Sequence, residues 1–305
     1  MKIAIGTSSF GSVDKTSLEF LESKVDEVKL NPFGRKLSES ETIVHLKNID
    51  GLIAGLEPLS FNVLKKCPNL KAIARVGIGM DNIDLNAAKR LGIKISNTPD
   101  GPTESVTELT IAAALALTRS IFISNAEMHN KNWKKSISSG IKNLRVLIIG
   151  YGRIGKSVSK IFKIMGADVK VFDPIISSID LEHNKNFIPL NEGLKFAQLI
   201  TLHAGNNKTI ISQKEFEMMN PGVFILNSAR GSLVNENDLI KALESNIVAG
   251  GWFDVFENEP YDGRLTNYPQ LLLTPHISTY TVQCRKNMEQ MAVENILKDL
   301  HIEYK

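Results

Sequence analysis

Residues 144–174 read LRVLIIGYGRIGKSVSKIFKIMGADVKVFDP. The apolar run at 144–149 predicts a strand buried on both faces. It is followed by Gly150, Tyr151, Gly152, Arg153, Ile154 and Gly155, and then by KSVSKIFKIMG, whose apolar residues recur at helical spacing. A G-x-G-x-x-G is weak alone, but between a buried strand and a helix it is informative. There the glycines allow a tight turn and a close backbone approach to a pyrophosphate, and the helix N-terminus offers amide donors and partial positive charge. DVKVF predicts the next strand, and Asp173 ends it, where a carboxylate accepts hydrogen bonds from ribose hydroxyls and repels a 2′-phosphate. The stretch therefore predicts a Rossmann unit that binds NAD. Arg153, inside the turn, either contacts the pyrophosphate or is a solvated side chain.

The same alternation of apolar runs and amphipathic stretches extends in both directions. QLITLHA, VFILNSA, IVAGGWFDV and LLLTPHI continue the series downstream, and KIAIGT, EVKLN, GLIAGL, LKAIAR and IKISN form a separate series upstream. This is the pattern of α/β architecture, with two doubly wound parallel-sheet domains. ESVTELTIAAALALTRSI, 104–121, has an acidic start and a basic end and predicts one long connecting helix, apolar on more than one face and so buried on several sides. In 280–300, Met288, Ala292, Ile296 and Leu300 share one helical face, predicting a closing helix that returns to cover the N-terminal unit.

Bulk properties exclude several classes. With 305 residues, 43% apolar and 23% charged, the chain has the composition of a folded two-domain protein. Its 36 basic and 33 acidic residues are scattered and leave a net charge of +3, so no footprint for nucleic acid or for a membrane surface emerges. The longest apolar stretch, Ile111 to Leu117, is far too short to span a bilayer. Cys67 and Cys284, the two cysteines, fit neither a disulfide framework nor a metal site. A cytoplasmic location is expected.

In open parallel sheets ligands collect beyond the carboxyl ends of strands. The polar residues there are His203, the group Ser228, Ala229, Arg230, Gly231, the run Asp254 to Pro260, and His276. Oxidising a hydroxy acid needs a base for the hydroxyl proton, a cation for the carboxylate and a nicotinamide face for the hydride. His276 suits the base, Glu259 suits a partner that orients its imidazole, and the planar fork of Arg230 suits the carboxylate and carbonyl oxygen. Asp254 is placed to accept from the nicotinamide carboxamide. His203 either lines the adenosine end of the site or bonds within its own backbone. Trp133 and Trp252 read as packing residues.

These residues lie in blocks that together resemble the D-isomer-specific 2-hydroxyacid dehydrogenases: ARVGIGMDNIDL at 74–85, SVTELT at 105–110, GYGRIG at 150–155, LNSARGSLVNENDL at 226–239, DVFENEP at 254–260 and TPHIS at 274–278. The resemblance implies Arg230, Glu259 and His276 as the catalytic set. It implies NAD contacts from Gly150, Gly152, Arg153, Ile154, Gly155, Asp173, His203, Ala204, Ser228, Ala229, Arg230, Asp254 and His276, and substrate contacts from Arg75, the amides of Val76 and Gly77, and Arg230. It further implies a flavodoxin-like substrate domain, 1–98 plus 283–305, a Rossmann NAD domain, 99–282, and a homodimer. Within the family the chain is most similar to 3-phosphoglycerate dehydrogenases, in a short form without a regulatory domain, through RVGIGMDNIDL, TSSFG and NPFGRKL. Some members hold the substrate phosphate with an Arg-Ser pair after the third strand, where this chain has Gly55 and Leu56. Arg35, Lys36, Arg75 or the hydroxyls of Thr7 to Ser9 are then the candidates for that task. Glyoxylate or hydroxypyruvate reduction, and a non-enzymatic NAD-sensing role, are the alternative readings.

NADH is expected to bind about tenfold more tightly than NADPH in a fluorescence titration, because Asp173 faces the position of the 2′-phosphate. NADPH binding at least as tight would remove the role given to Asp173.

Overall fold

Apolar runs in both halves of the chain become parallel strands. The computed structural model describes residues 1–175, 186–205 and 207–303. It divides into two units, one made of Met1–Pro102 with Thr279–Lys305 and the other of Thr103–Ser278. The sequence places these boundaries four residues away at each junction.

In the first unit β1 (Lys2–Ile5), β2 (Glu27–Lys29), β3 (Gly51–Ala54), β4 (Ala72–Arg75) and β5 (Lys94–Asn97) form a parallel sheet in the order β2-β1-β3-β4-β5. Alternate residues serve opposite faces, as a pleated strand requires. Ile3, Ile5 and Ile53 pack with Leu21, Met288, Ala292, Val293 and Ile296, whereas Ala4, Leu52 and Ile73 pack with Leu59, Val63, Leu64 and Ala87. The closing helix, Val282–Asp299, is capped by Thr281, whose hydroxyl accepts from the Cys284 amide, and it covers the first of these faces. Its buried pair Arg285–Glu289, 2.8 Å apart, also takes the Gly11 amide, which ties down the loop after β1.

In the second unit β6 (Arg145–Ile149), β7 (Asp168–Phe172), β8 (Leu199–Leu202), β9 (Val223–Asn227), β10 (Val248–Phe253) and β11 (Leu271–Leu273) run parallel in the order β11-β10-β9-β8-β6-β7. Leu147, Ile149, Ile200 and Ile225 face one layer of helices, and Val146, Ile148, Leu226 and Trp252 face the other. Burying each such aliphatic side chain contributes about 1.5–3 kcal/mol. Trp252 is fully buried, while Trp133 is 78% exposed, a correction to its reading as a packing residue. Both sheets have a switch point, β1/β3 in the first and β6/β8 in the second, where successive connections leave on opposite faces.

The long helix expected over 104–121 is two helices, Pro102–Thr118 and Ile121–His129, bent by 62°. Ser120 sits between them with φ +50°, in the left-handed region, which ends the hydrogen-bonded run. Among the described residues no single helix is long and apolar enough to cross a membrane.

The helix Arg153–Ile164 lies almost on β6: a Cβ at Gly155 would fall 2.0 Å from the Gly150 carbonyl oxygen. Gly155→Ala is expected to destabilise the protein by about 3 kcal/mol through this overpacking, read from the midpoint of urea unfolding. An unchanged midpoint would mean that the helix can slide along the sheet freely.

Candidate active site

The glycine turn sits at the β6/β8 switch point. Gly150 has φ +94°, and a Cβ there would lie 2.6 Å from the Ala204 amide nitrogen and from the His203 carbonyl carbon, so only glycine lets the two strand ends meet. Gly152 caps the helix, and the space its Cβ would fill is open. Arg153 and the half-buried Ile154 begin that helix, whose first amides have no intrahelical acceptor. Asp173 accepts from the Tyr151 amide at 2.6 Å and from the Ile175 amide at 2.9 Å, one on each carboxylate oxygen, which leaves a lone pair on each. Farther along the sheet edge, the Ser228 hydroxyl is buried with no partner among the described residues. An open glycine cradle at a helix N-terminus, an acid beside it and an unsatisfied hydroxyl fit a dinucleotide.

His203 differs from its neighbours. Its Nε2 meets the Thr201 hydroxyl at 2.9 Å, its amide extends the ladder to Ile149, and burial pushes its pKa down to about 3. It is a neutral ring whose partner is a side-chain hydroxyl of the preceding strand, not the backbone.

Arg230 follows β9 on a turn organised by Asn227. The fully buried Asn227 amide donates to the Arg230 carbonyl at 2.8 Å and accepts from the Ala229 amide at 3.1 Å, while its carbonyl takes the Asp254 amide. A Cβ at Gly231 would lie 2.0 Å from the Phe256 carbonyl carbon, so this turn rests directly on the 254–260 loop. That loop is braced by Tyr261, which stacks on Phe256 at 4.1 Å and donates to Glu236 at 2.9 Å; burial first, and Glu236 after it, push the phenol up to about 12. Neither Asn227 nor Tyr261 stood out in the sequence. A buried-strand pattern that ends on an amide before a small-residue turn was the available signal for Asn227.

His276 and Glu259 meet. Nδ1 of His276 lies 2.8 Å from Glu259 Oε2, and Glu259 Oε1 accepts from the Phe256 amide at 3.0 Å. A carboxylate only accepts, so Nδ1 carries the proton and Nε2 is left to exchange one. The hydrogen bond to Glu259 raises the imidazole pKa; burial opposes it, the charges of Glu259 and Asp254 add to it, and Arg230 is near enough to lower it. His276 has φ +54°, an unusual conformation for a residue with a side chain and one that costs about 1–2 kcal/mol.

Asp254 is not placed as its position implied. Its fully buried carboxylate accepts from the Thr274 hydroxyl at 2.5 Å, the Ile277 amide at 2.9 Å, and the Ser278 amide and hydroxyl at 2.9 and 2.5 Å. All four lone pairs are used, so none remains for a carboxamide, and Asp254 instead holds the turn that carries His276.

In the first unit the proposed substrate amides are also committed. The Val76 amide donates to Ala54 at 2.9 Å, continuing the β-ladder, and the Gly77 amide donates to the Thr98 hydroxyl at 2.7 Å. Neither is open to a substrate carboxylate, which corrects that assignment. Arg75 folds its guanidinium over Gly77, where a Cβ would lie 2.7 Å from Nη1. Arg35 forks onto Glu41 with bonds of 2.9 and 2.7 Å, which takes it out of the candidates for a phosphate.

Comparison with known proteins supports the same chemistry. The D-isomer specific 2-hydroxyacid dehydrogenase NAD binding domain matches residues 111–278. The chain is 31% identical over 267 residues to a glyoxylate reductase of Thermococcus litoralis, covering 83% of this chain and 81% of that one. It is 30% identical over 300 residues to a hydroxypyruvate reductase of Thermotoga maritima, covering 95% and 96%. It is 29% identical over 293 residues to a D-3-phosphoglycerate dehydrogenase of Bacillus subtilis, covering 93% of this chain and 55% of that protein, so the chain spans about half the length of that relative. With these matches, and with a paired His276 and Glu259 and an NAD-type glycine turn in the same unit, the chain belongs to the D-isomer specific 2-hydroxyacid dehydrogenase family.

Proposed function

We propose that the protein reduces a small 2-oxo acid to the D-2-hydroxy acid with NADH, and runs the reverse oxidation with NAD, using His276, Glu259 and Arg230. The observation that carries this reading is the 2.8 Å contact that fixes the His276 ring on a carboxylate while Arg230 lies within electrostatic reach. NADH, when bound, supplies the hydride to C2. His276, protonated at Nε2, gives its proton to the carbonyl oxygen as the C=O pair becomes a C–O bond, and Arg230 holds the substrate carboxylate and that oxygen. Glu259 keeps Nδ1 protonated throughout. In the oxidising direction neutral Nε2 takes the hydroxyl proton.

The candidate acids are 3-phosphoglycerate, glyoxylate and hydroxypyruvate with their oxidised or reduced partners. A homodimer is part of the proposal: Ile121, Ile123, Met128, Trp133 and Ile137, all exposed within one stretch of chain, are apolar residues that a second copy would cover. Two buried cysteines outside any disulfide, Cys67 and Cys284, suit the reducing cytoplasm.

His276→Ala is expected to lower kcat for 2-oxo acid reduction by about 10³-fold while NADH still binds; turnover at the parent rate would rule out His276 as the proton carrier. Reduction needs the imidazolium, so its rate falls as pH rises through the raised pKa of His276. Glu259→Gln removes the carboxylate that raises it, and the alkaline limb of the reduction profile then moves to lower pH by about one unit. A limb that stays in place would separate Glu259 from the ionisation of His276.

A further inference from the structure

Phe256, in the 254–260 loop, is held at three points. Its amide donates to Glu259 Oε1 at 3.0 Å. The peptide that follows it rests on the turn after Arg230, because a Cβ at Gly231 would lie 2.0 Å from the Phe256 carbonyl carbon and 2.3 Å from the Glu257 nitrogen. Its ring is covered by Tyr261, with centroids 4.1 Å apart and planes 16° from parallel. Tyr261 is fixed in turn by its hydroxyl, which donates to Glu236 Oε1 at 2.9 Å and accepts from the Leu265 amide at 3.0 Å. Glu236 opens the helix Glu236–Glu244, which Asn235 caps by accepting from the Asp238 amide at 3.0 Å. Gly263 leaves the hydroxyl its place: a Cβ there would lie 2.5 Å from Tyr261 Oη. All of these groups belong to the unit Thr103–Ser278, as do Arg230 and His276.

Resting on the dehydrogenase reading above, we propose that Tyr261 is a positioning residue for the reaction: tied to Glu236, it holds Phe256 against the Arg230 turn and thereby sets the contact between Glu259 and His276. Glu259 Oε1 takes the Phe256 amide and Oε2 meets His276 Nδ1, so the carboxylate carries the place of that amide over to the imidazole. Stacking alone lets one aromatic ring slide over the other. A hydroxyl bonded on two sides removes that freedom. The charges that reach His276 are those of Glu259, Asp254 and Arg230. Asp254 is committed to the amides of Ile277 and Ser278, so a displaced Phe256 acts through Glu259 and through the turn of Arg230. The hydrogen bond to Glu259 is the largest influence on the imidazole and raises its pKa. Loosening Glu259 therefore lowers that pKa, and reduction, which needs the imidazolium, fails at a lower pH.

The test is the pH profile of kcat/KM for NADH-dependent reduction, taken with whichever of glyoxylate, hydroxypyruvate and its 3-phosphate ester the parent enzyme turns over fastest. Tyr261→Phe keeps the stacked ring and removes the hydroxyl. It is expected to lower kcat/KM at neutral pH by about tenfold and to move the alkaline limb to lower pH by about half a unit, with the affinity for NADH unchanged. Glu236→Ala, which removes the acceptor, is expected to reproduce this profile, and Glu236→Gln, which keeps an acceptor oxygen, to retain that of the parent. In a Glu259→Gln background Tyr261→Phe is expected to move the limb no farther, because both substitutions act on one contact. A merely structural Tyr261 would lower the midpoint of urea unfolding and leave the limb in place. A limb that Tyr261→Phe does not move, or that moves farther in the double variant, overturns the proposal; Glu236→Ala decides where Tyr261→Phe fails to fold. Turnover of none of the three acids by the parent would remove the dehydrogenase reading and this inference with it, whereas normal turnover with an unmoved limb removes the inference alone.

Discussion

The turn that presents His276 is held by a single buried carboxylate. Asp254 has no exposed surface, and burying a carboxylate costs several kcal/mol unless its lone pairs are met. Here four donors meet them, two from backbone amides and two from hydroxyls, and hydrogen bonds to a charged acceptor contribute about 1.5–3 kcal/mol each. That sum is more than enough to hold His276 at φ +54°. The arrangement is anchored further in: the Thr274 hydroxyl that donates to Asp254 also accepts from the Trp252 indole at 2.9 Å, so the core of the sheet and the turn are joined through one side chain. Remove the carboxylate, and the 274–278 segment loses the reason to fold back over β10.

Arg230 depends on a similar device of smaller charge. Asn227 imitates a backbone turn with its side chain, satisfying the Ala229 amide and the Arg230 carbonyl at once, while its own carbonyl pairs with the next strand. The absence of a side chain at Gly231 then lets this turn touch the loop of Glu259. Three groups from three strand ends come together because each strand ends in a polar residue that bonds to its own continuation or to the strand beside it. Rigid strands set the spacing, and the polar ends set the direction.

Strands and the glycine turn were readable in the sequence because period and local chemistry agree: apolar runs mark buried parallel strands, and Gly150 and Gly155 stand where contacts of 2.6 and 2.0 Å forbid a side chain. Other features depend on partners distant in the chain. Nothing near Asp254 announces that Thr274, Ile277 and Ser278 fill its lone pairs, and nothing near Val76 shows that β3 extends its ladder far enough to claim that amide. The break at Ser120 escaped for another reason. Serine is tolerable in a helix, and its left-handed backbone is set by where the next helix must run. Glu57 is the sharpest case: a glutamate beside a proline in a loop reads as solvated surface, yet it is 1% exposed, and a Cβ at Gly6 would lie 2.0 Å from its Oε1.

The two histidines of the second unit show what position after a strand does and does not decide. His203 and His276 both follow strands of one sheet, and both are polar residues at its carboxyl edge. His203 meets a threonine hydroxyl, and burial without a countercharge keeps it neutral far below physiological pH. His276 meets a carboxylate, and that contact outweighs the burial that opposes it. Topology delivers an imidazole to the site in each case; the partner decides whether it can carry a proton at the pH where the enzyme works. The same holds for the carboxylates. Asp254, with every lone pair engaged, is a fastener, while Glu259 meets the ring of His276 directly and raises its pKa.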